Sequence, residues 1–187
     1  REALVTLAQV TGPNDLLLIA GAPLIHRGRL YNCAVAMAQG EIVTVVPKQY
    51  LPTYAEFYEK RKFASGRGIT GESIRIDGRE VPFGTDVLVS HQGVIVGMEI
   101  CEDLWVPLPP STLQAMEGAD VIVNLSATDE LIGKHDYLLS LLKGQSARCR
   151  CAYAYASAGP GESSTDAVYA GNAIICEDGR VLEESPR

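Results

Sequence analysis

Two reactive side chains in this sequence directly follow apolar runs. Residues 94–100 are largely apolar and β-branched. The run stops at Cys101 and passes into Glu102-Asp103-Leu104-Trp105. Residues 42–46 form a second such run, followed by Pro47 and then Lys48. A thiol at the carboxyl end of a buried strand sits where open α/β sheets bind their ligands. A turn or helix starting just after it would aim backbone N–H groups at the sulfur and favour thiolate. A lysine at the same sheet edge would do likewise and could donate to a developing oxyanion. Together they suit nucleophilic attack on an acyl carbon. Beside this stand bland alternatives: Cys101 as a small core residue, Lys48 as a solvated turn residue.

The other nucleophile partners are scarce. Histidine occurs only at positions 26, 91 and 135, and none is read as following a strand end. Five cysteines (33, 101, 149, 151 and 176) lack disulfide-framework spacing, and the Cys149-x-Cys151 pair has no second pair to complete a zinc site. No metal site is expected, and the expected setting is a reducing cytoplasm. With 187 residues, 47% hydrophobic, 21% charged and a net charge of −7, the chain reads as one soluble domain. Nucleic acid and anionic membrane are disfavoured as partners by the charge and the absence of a basic block. No run approaches a membrane span.

The elements that must position these groups alternate in type. Residues 1–11 have helical spacing; residues 16–20 read as a central strand closed by Gly21-Ala22-Pro23. Residues 30–38 and 41–46 bracket Gln39-Gly40 as a hairpin. Residues 53–63 form a short helix or ordered loop, and Ile74, Ile76, Val81, Val87 and Val89 mark short strands. Ser111 is a plausible N-cap for a helix to Glu117. Residues 120–125 and 152–156 are strands around a helix at 134–149. Residues 169–176 and 180–183 close a hairpin at Asp178-Gly179. The sum is α/β, a mixed sheet covered by helices.

Longer motifs sharpen the reading. Pro47-Lys48-Gln49-Tyr50-Leu51-Pro52, with Tyr54 and Glu56-Phe57-Tyr58-Glu59, resembles the lysine segment of the carbon–nitrogen hydrolase (nitrilase) superfamily. Gly97-Met98-Glu99-Ile100-Cys101 is similar to its cysteine segment. Cys101-Glu102-Asp103-Leu104-Trp105, Asn124-Leu125-Ser126-Ala127-Thr128 and the run Gly159-Pro160-Gly161-Glu162-Ser163-Ser164-Thr165-Asp166 narrow this. Together they resemble the glutaminase domains of glutamine-dependent NAD+ synthetases.

The resemblance implies a nitrilase-like α-β-β-α sandwich and thioester chemistry at Cys101, releasing ammonia from glutamine. Lys48 and the backbone N–H of Glu102 would hold the oxyanion, with Glu59 as the auxiliary glutamate. Tyr54, Glu102, Thr128 and Lys134 match glutamine-binding positions. The family commonly has Ser and Arg at the last two, so a bidentate grip on the substrate carboxylate would be lost at Lys134. The family's general-base glutamate is expected upstream of residue 1, since Glu2 and Glu41 fit no such place. The single domain therefore reads as cut at both ends, without its N-terminal elements, and its own turnover is expected to be low. No cofactor is implied for this domain; ATP and Mg2+ belong to a C-terminal ATP-pyrophosphatase partner domain, and a homo-oligomer is expected. A stand-alone amidase for small carboxamides and a non-catalytic module remain as alternatives.

Overall fold

Tight turns with left-handed backbone fold the first half of the chain. The structure, a computed structural model, describes residues 1–162 and 167–186. Helix α1 (Glu2–Thr11) precedes strands β1 (Leu18–His26), β2 (Arg29–Ala38) and β3 (Glu41–Pro47). Arg27-Gly28 and Gln39-Gly40 turn the two hairpins, with φ of 46° and 75°, and 53° and 84°. Two consecutive positive φ values give the mirror-image turn that matches the strand twist. Asp77-Gly78 repeats the device between β4 (Glu72–Ile76) and β5 (Arg79–Phe83). These strands form one sheet in the order β1-β2-β3-β5-β4, with β5 parallel to β3.

The second half builds another sheet. Strands β6 (Val89–His91) and β7 (Val94–Ile100) form a hairpin, and a 3₁₀ turn, Cys101–Leu104, leads to α2 (Pro110–Met116). Strand β8 (Val121–Ser126), helix α3 (Lys134–Cys149) and strand β9 (Ala152–Ser157) follow. Strands β10 (Ala173–Glu177) and β11 (Arg180–Glu184) close the sheet, in the order β11-β10-β9-β8-β7-β6. Helical crossovers make β7, β8 and β9 parallel.

Side-chain alternation stacks the layers. On β2, Tyr31, Cys33, Val35 and Met37 pack with Leu4 and Ala8 of α1. Its intervening Ala34 and Ala36 face Val96, Met98 and Ile100 of β7 across the gap between sheets. On the far side, Ile122 and Tyr153 pack under Leu138 and Leu142 of α3. Each of those fully buried leucines contributes roughly 1.5–3 kcal/mol. The result is the α-β-β-α sandwich that the resemblance implied, built of two mixed sheets where residue patterns alone read one. No helix among the described residues is long and apolar enough to cross a membrane.

Several sequence expectations need correction. Strand β1 is not central and does not stop at Gly21-Ala22-Pro23; it runs to His26 at a sheet edge, pairing only with β2. An edge strand tolerates the missing N–H of Pro23. Ser111 does not cap α2; the N-cap is Pro109, with Pro110 at the first helical position. Ser111 is buried instead and donates its N–H to Glu99. The last hairpin begins at Ala173, not at Tyr169. His26 and His91 do terminate strands, against expectation, but His26 pairs with Glu72 and His91 contacts the Asp15 carbonyl.

Candidate active site

Lys48 leaves β3 still tied to the ladder, its N–H donating to the Asn32 carbonyl at 2.8 Å. Its carbonyl accepts from the Gly66 N–H at 2.8 Å. The side chain is 4% exposed, and its Nζ meets Glu59 Oε2 at 2.6 Å. Glu59 lies on a short 3₁₀ turn, Glu59–Arg61, and its Oε1 accepts from Asn32 Nδ2 at 2.7 Å. Each oxygen of the carboxylate thus has a donor, and the ammonium is anchored where burial alone would disfavour it.

Cys101 directly follows β7 as the first residue of the 3₁₀ turn, with φ of 47°. A left-handed non-glycine residue costs on the order of 1 kcal/mol or more and needs surrounding contacts to hold it. Its N–H donates to Asn124 Oδ1 at 3.1 Å, and its Sγ lies 3.8 Å from Thr128 Oγ1. Thr128 in turn accepts from the Tyr155 hydroxyl at 2.7 Å.

Asp103 joins the two strand ends. Its Oδ1 accepts from the N–H groups of Gln49 (3.2 Å) and Tyr50 (2.8 Å), just past Lys48. Its Oδ2 accepts from the Ile100 N–H at 3.0 Å, just before Cys101. One buried carboxylate therefore ties the loop after β3 in the first sheet to the end of β7 in the second.

The predicted residues gather in two cavities that share Cys101 and Phe57. The larger, about 700 Å³, is lined by Lys48, Glu59, Asn32 and Cys101. The smaller, about 430 Å³, is lined by Tyr54, Glu102, Thr128, Lys134 and Cys101, with Trp105 and Tyr137 forming an aromatic wall. Tyr54 donates its hydroxyl to Glu102 Oε2 at 2.8 Å; partial burial and that carboxylate push the hydroxyl pKa up. Lys134 is ion-paired with Asp129 and lies 5.6 Å from the Trp105 ring and 5.9 Å from the Phe57 ring. Glu2 lies on α1, and Glu41 pairs with Arg79 at the other end of β3 from Lys48. Neither lines these cavities. The Gly159-to-Asp166 motif falls partly on residues 163–166, outside the described residues.

Sequence reasoning missed Asn32 and quoted Asp103 and Asn124 within motifs without giving either a role. The available signal was polarity in the wrong place: Asn124 is fully buried inside an apolar strand. Nothing local points to Asn32, whose partner Glu59 lies 27 residues away.

The family described as carbon-nitrogen hydrolase is matched across residues 1–187. The glutamine-dependent NAD(+) synthetase of Mycobacterium tuberculosis is 49% identical over 191 aligned residues, covering 100% of this chain and 28% of that protein. The protein of that name from Mycobacterium leprae is 45% identical, covering 95% and 27%. In structure, the glutamine-dependent NAD(+) synthetase from Cytophaga hutchinsonii aligns with a TM-score of 0.87 at 27% identity, over 98% of this chain and 29% of that one. The chain thus spans between a quarter and a third of the length of these relatives.

Proposed function

Because the chain belongs to the carbon-nitrogen hydrolase family, we propose that it hydrolyses the side-chain amide of glutamine and supplies ammonia for NAD+ synthesis. The observation that carries this reading is the smaller cavity, where Tyr54, Glu102, Thr128 and Lys134 line the wall together with Cys101, which also lines the larger cavity with Lys48. Cationic and anionic side chains there offer counterparts to both charges of an amino-acid head group, leaving the carboxamide to reach Cys101.

In this mechanism Cys101 Sγ attacks the amide carbon and forms a C–S bond as the carbonyl electron pair moves onto oxygen. The Lys48 ammonium and the Glu102 N–H stabilise that oxyanion; the Cys101 N–H is already committed to Asn124. Glu59, bonded to both Lys48 and Asn32, orients the ammonium rather than taking the thiol proton. That proton passes to a general base and from it to the leaving amine. The C–N bond breaks, ammonia departs, and water hydrolyses the thioester to glutamate. A synthetase domain using ATP and Mg2+ would then amidate deamido-NAD.

The Lys134–Asp129 pair favours a second reading, a small-carboxamide amidase, since a neutralised lysine grips a substrate carboxylate weakly. Steady-state assays of the full natural polypeptide on L-glutamine and on acetamide decide between them. Glutamine turnover abolished by Cys101→Ala, with KM raised by Tyr54→Phe and Lys134→Ala, supports the glutaminase. Equal or better turnover of acetamide, indifferent to Lys134→Ala, refutes it.

A further inference from the structure

Behind the nucleophile lies a buried polar chain of which the mechanism above uses only the Asn124 end. Glu99, Tyr153 and Asn124 are each 1% exposed or less, on the face of the second sheet that packs against α2 and α3. Glu99 Oε2 accepts from the Ser111 N–H at 2.8 Å, and Oε1 accepts from the Tyr153 hydroxyl and, at 3.5 Å, from Asn124 Nδ2. Tyr153 Oη also accepts from Asn124 Nδ2 at 3.0 Å. At the far end Asn124 Oδ1 accepts from the Cys101 N–H and, at 2.7 Å, from the Ser126 hydroxyl.

The order of donors follows from one end. The Cys101 N–H can only donate, so it must meet the Asn124 oxygen. An amide has only one other end, and its nitrogen is thereby turned to Glu99 and the Tyr153 oxygen, leaving the Tyr153 proton for Glu99. A reversed Asn124 would set an NH2 group against the Cys101 N–H and leave Glu99 and Tyr153 short of a donor in a dry interior, where such a loss is costly. Burial raises the Glu99 carboxyl pKa, and Tyr153, Ser111 and Asn124 oppose that rise.

We infer that Glu99, Tyr153 and Asn124 form a positioning relay that fixes the left-handed backbone of Cys101 and so the direction of its thiol. With the Cys101 amide held by Asn124, the Glu102 amide keeps the oxyanion role already given to it above. This rests on Cys101 being the nucleophile and not on glutamine being the substrate.

The test reads Cys101 directly. In the full natural polypeptide, the second-order rate of Cys101 alkylation by iodoacetamide is followed by peptide mass spectrometry, with folding checked by circular dichroism. Asn124→Leu removes the acceptor and slows alkylation on the order of 10- to 100-fold, the scale of a misplaced reacting group. Asn124→Asp keeps an acceptor for the Cys101 N–H and stays within about 3-fold of wild type, since a proton shared with Glu99 replaces the amide donor. Tyr153→Phe slows the reaction about 3- to 10-fold in the wild-type background and has no further effect on Asn124→Leu, the non-additivity of a shared chain. Turnover of glutamine should fall in kcat with KM unchanged. Wild-type alkylation in folded Asn124→Leu, or additive effects of the two substitutions, overturns the relay. Should Asn124→Leu not fold, wild-type alkylation in Tyr153→Phe overturns it alone. A protein that alkylates as expected yet leaves glutamine intact counts against the glutaminase reading only.

Discussion

Replacing Asp103 by asparagine puts a number on the carboxylate that joins the two sheets. Burial, the largest influence, pushes its carboxyl from the ordinary 3.8 up to about 7; Glu99 adds to the rise, and the N–H groups of Tyr50 and Ile100 and the Lys48 ammonium oppose it. The folded chain therefore holds this proton to higher pH than the unfolded chain. Between about pH 4 and pH 7 the folded state binds more protons, so stability falls as pH rises and then levels off. A rise of about three units amounts to roughly 4 kcal/mol at pH 8 and roughly 1–2 kcal/mol at pH 5. Asparagine imitates the neutral acid: it keeps an oxygen for Gln49 and Tyr50 and carries NH2 where the acid carries O–H. Because the Ile100 N–H loses its acceptor, the variant should lie about 1–3 kcal/mol below wild type near pH 4 and exceed it at pH 8 by what remains, roughly 1–3 kcal/mol, or about 2–12 °C in Tm for a chain of this size. Urea unfolding at pH 5 and pH 8 measures this: wild type should lose roughly 3 kcal/mol more than Asp103→Asn between them. Cys101 alkylation should slow in the same variant, because the Ile100 N–H then faces an NH2 group. Equal pH slopes, or a variant less stable at pH 8, would show that the three N–H bonds outweigh burial and that the carboxyl is not raised.

Three further outcomes follow from the same geometry. At limiting iodoacetamide, peptide mass spectrometry should find Cys101 modified first: burial pushes Cys33 and Cys151 up to about 12 and raises Cys149 and Cys176. Glu59→Gln strips the buried Lys48 ammonium of its counter-charge; thermal melts should show a loss of about 3–5 kcal/mol, and kcat should fall on the order of 10²-fold. Gly66→Ala places a Cβ 2.7 Å from the Pro47 carbonyl oxygen and 2.8 Å from its ring. Backbone cannot swing aside, so the residue preceding Lys48 must move; a stability loss of about 1–3 kcal/mol in urea melts, with reduced activity, is expected.

What could be read from sequence was local. Lys48 and Cys101 each follow an apolar run, and that pattern alone placed them at strand ends. Gln39-Gly40 and Asp178-Gly179 announced hairpins because their turns demand positive φ at both residues, which few dipeptides accept. The misreadings arose where distant neighbours decide. Pro23 looked like a strand terminator, yet β1 has a free edge on that side, a property of sheet order rather than of sequence. Ser111 looked like a helix cap, but Glu99 and Gln145, both far along the chain, claim its N–H and hydroxyl. Tyr54, Glu102, Thr128 and Lys134 were found through family resemblance; no spacing shows that residues up to 80 apart in sequence line one cavity.

The placement of the site also explains its dependence on the whole sandwich. Lys48 directly follows a strand of the first sheet and Cys101 one of the second, so neither sheet alone positions both reactive groups. Their relative position is set by what lies between: alanines 34 and 36 against Val96, Met98 and Ile100, a contact whose thickness the small alanines keep down. Packing of that kind fixes spacing but permits sliding. Asp103 removes the sliding, because its three N–H bonds are directional and span both strand ends. Asn124 then removes the remaining freedom at the Cys101 amide. Apolar packing sets the separation of the reactive groups, and buried polar bonds set their registry and aim. That division of labour gives charged and amide side chains a reason to be buried beside a hydrophobic core, despite their desolvation cost.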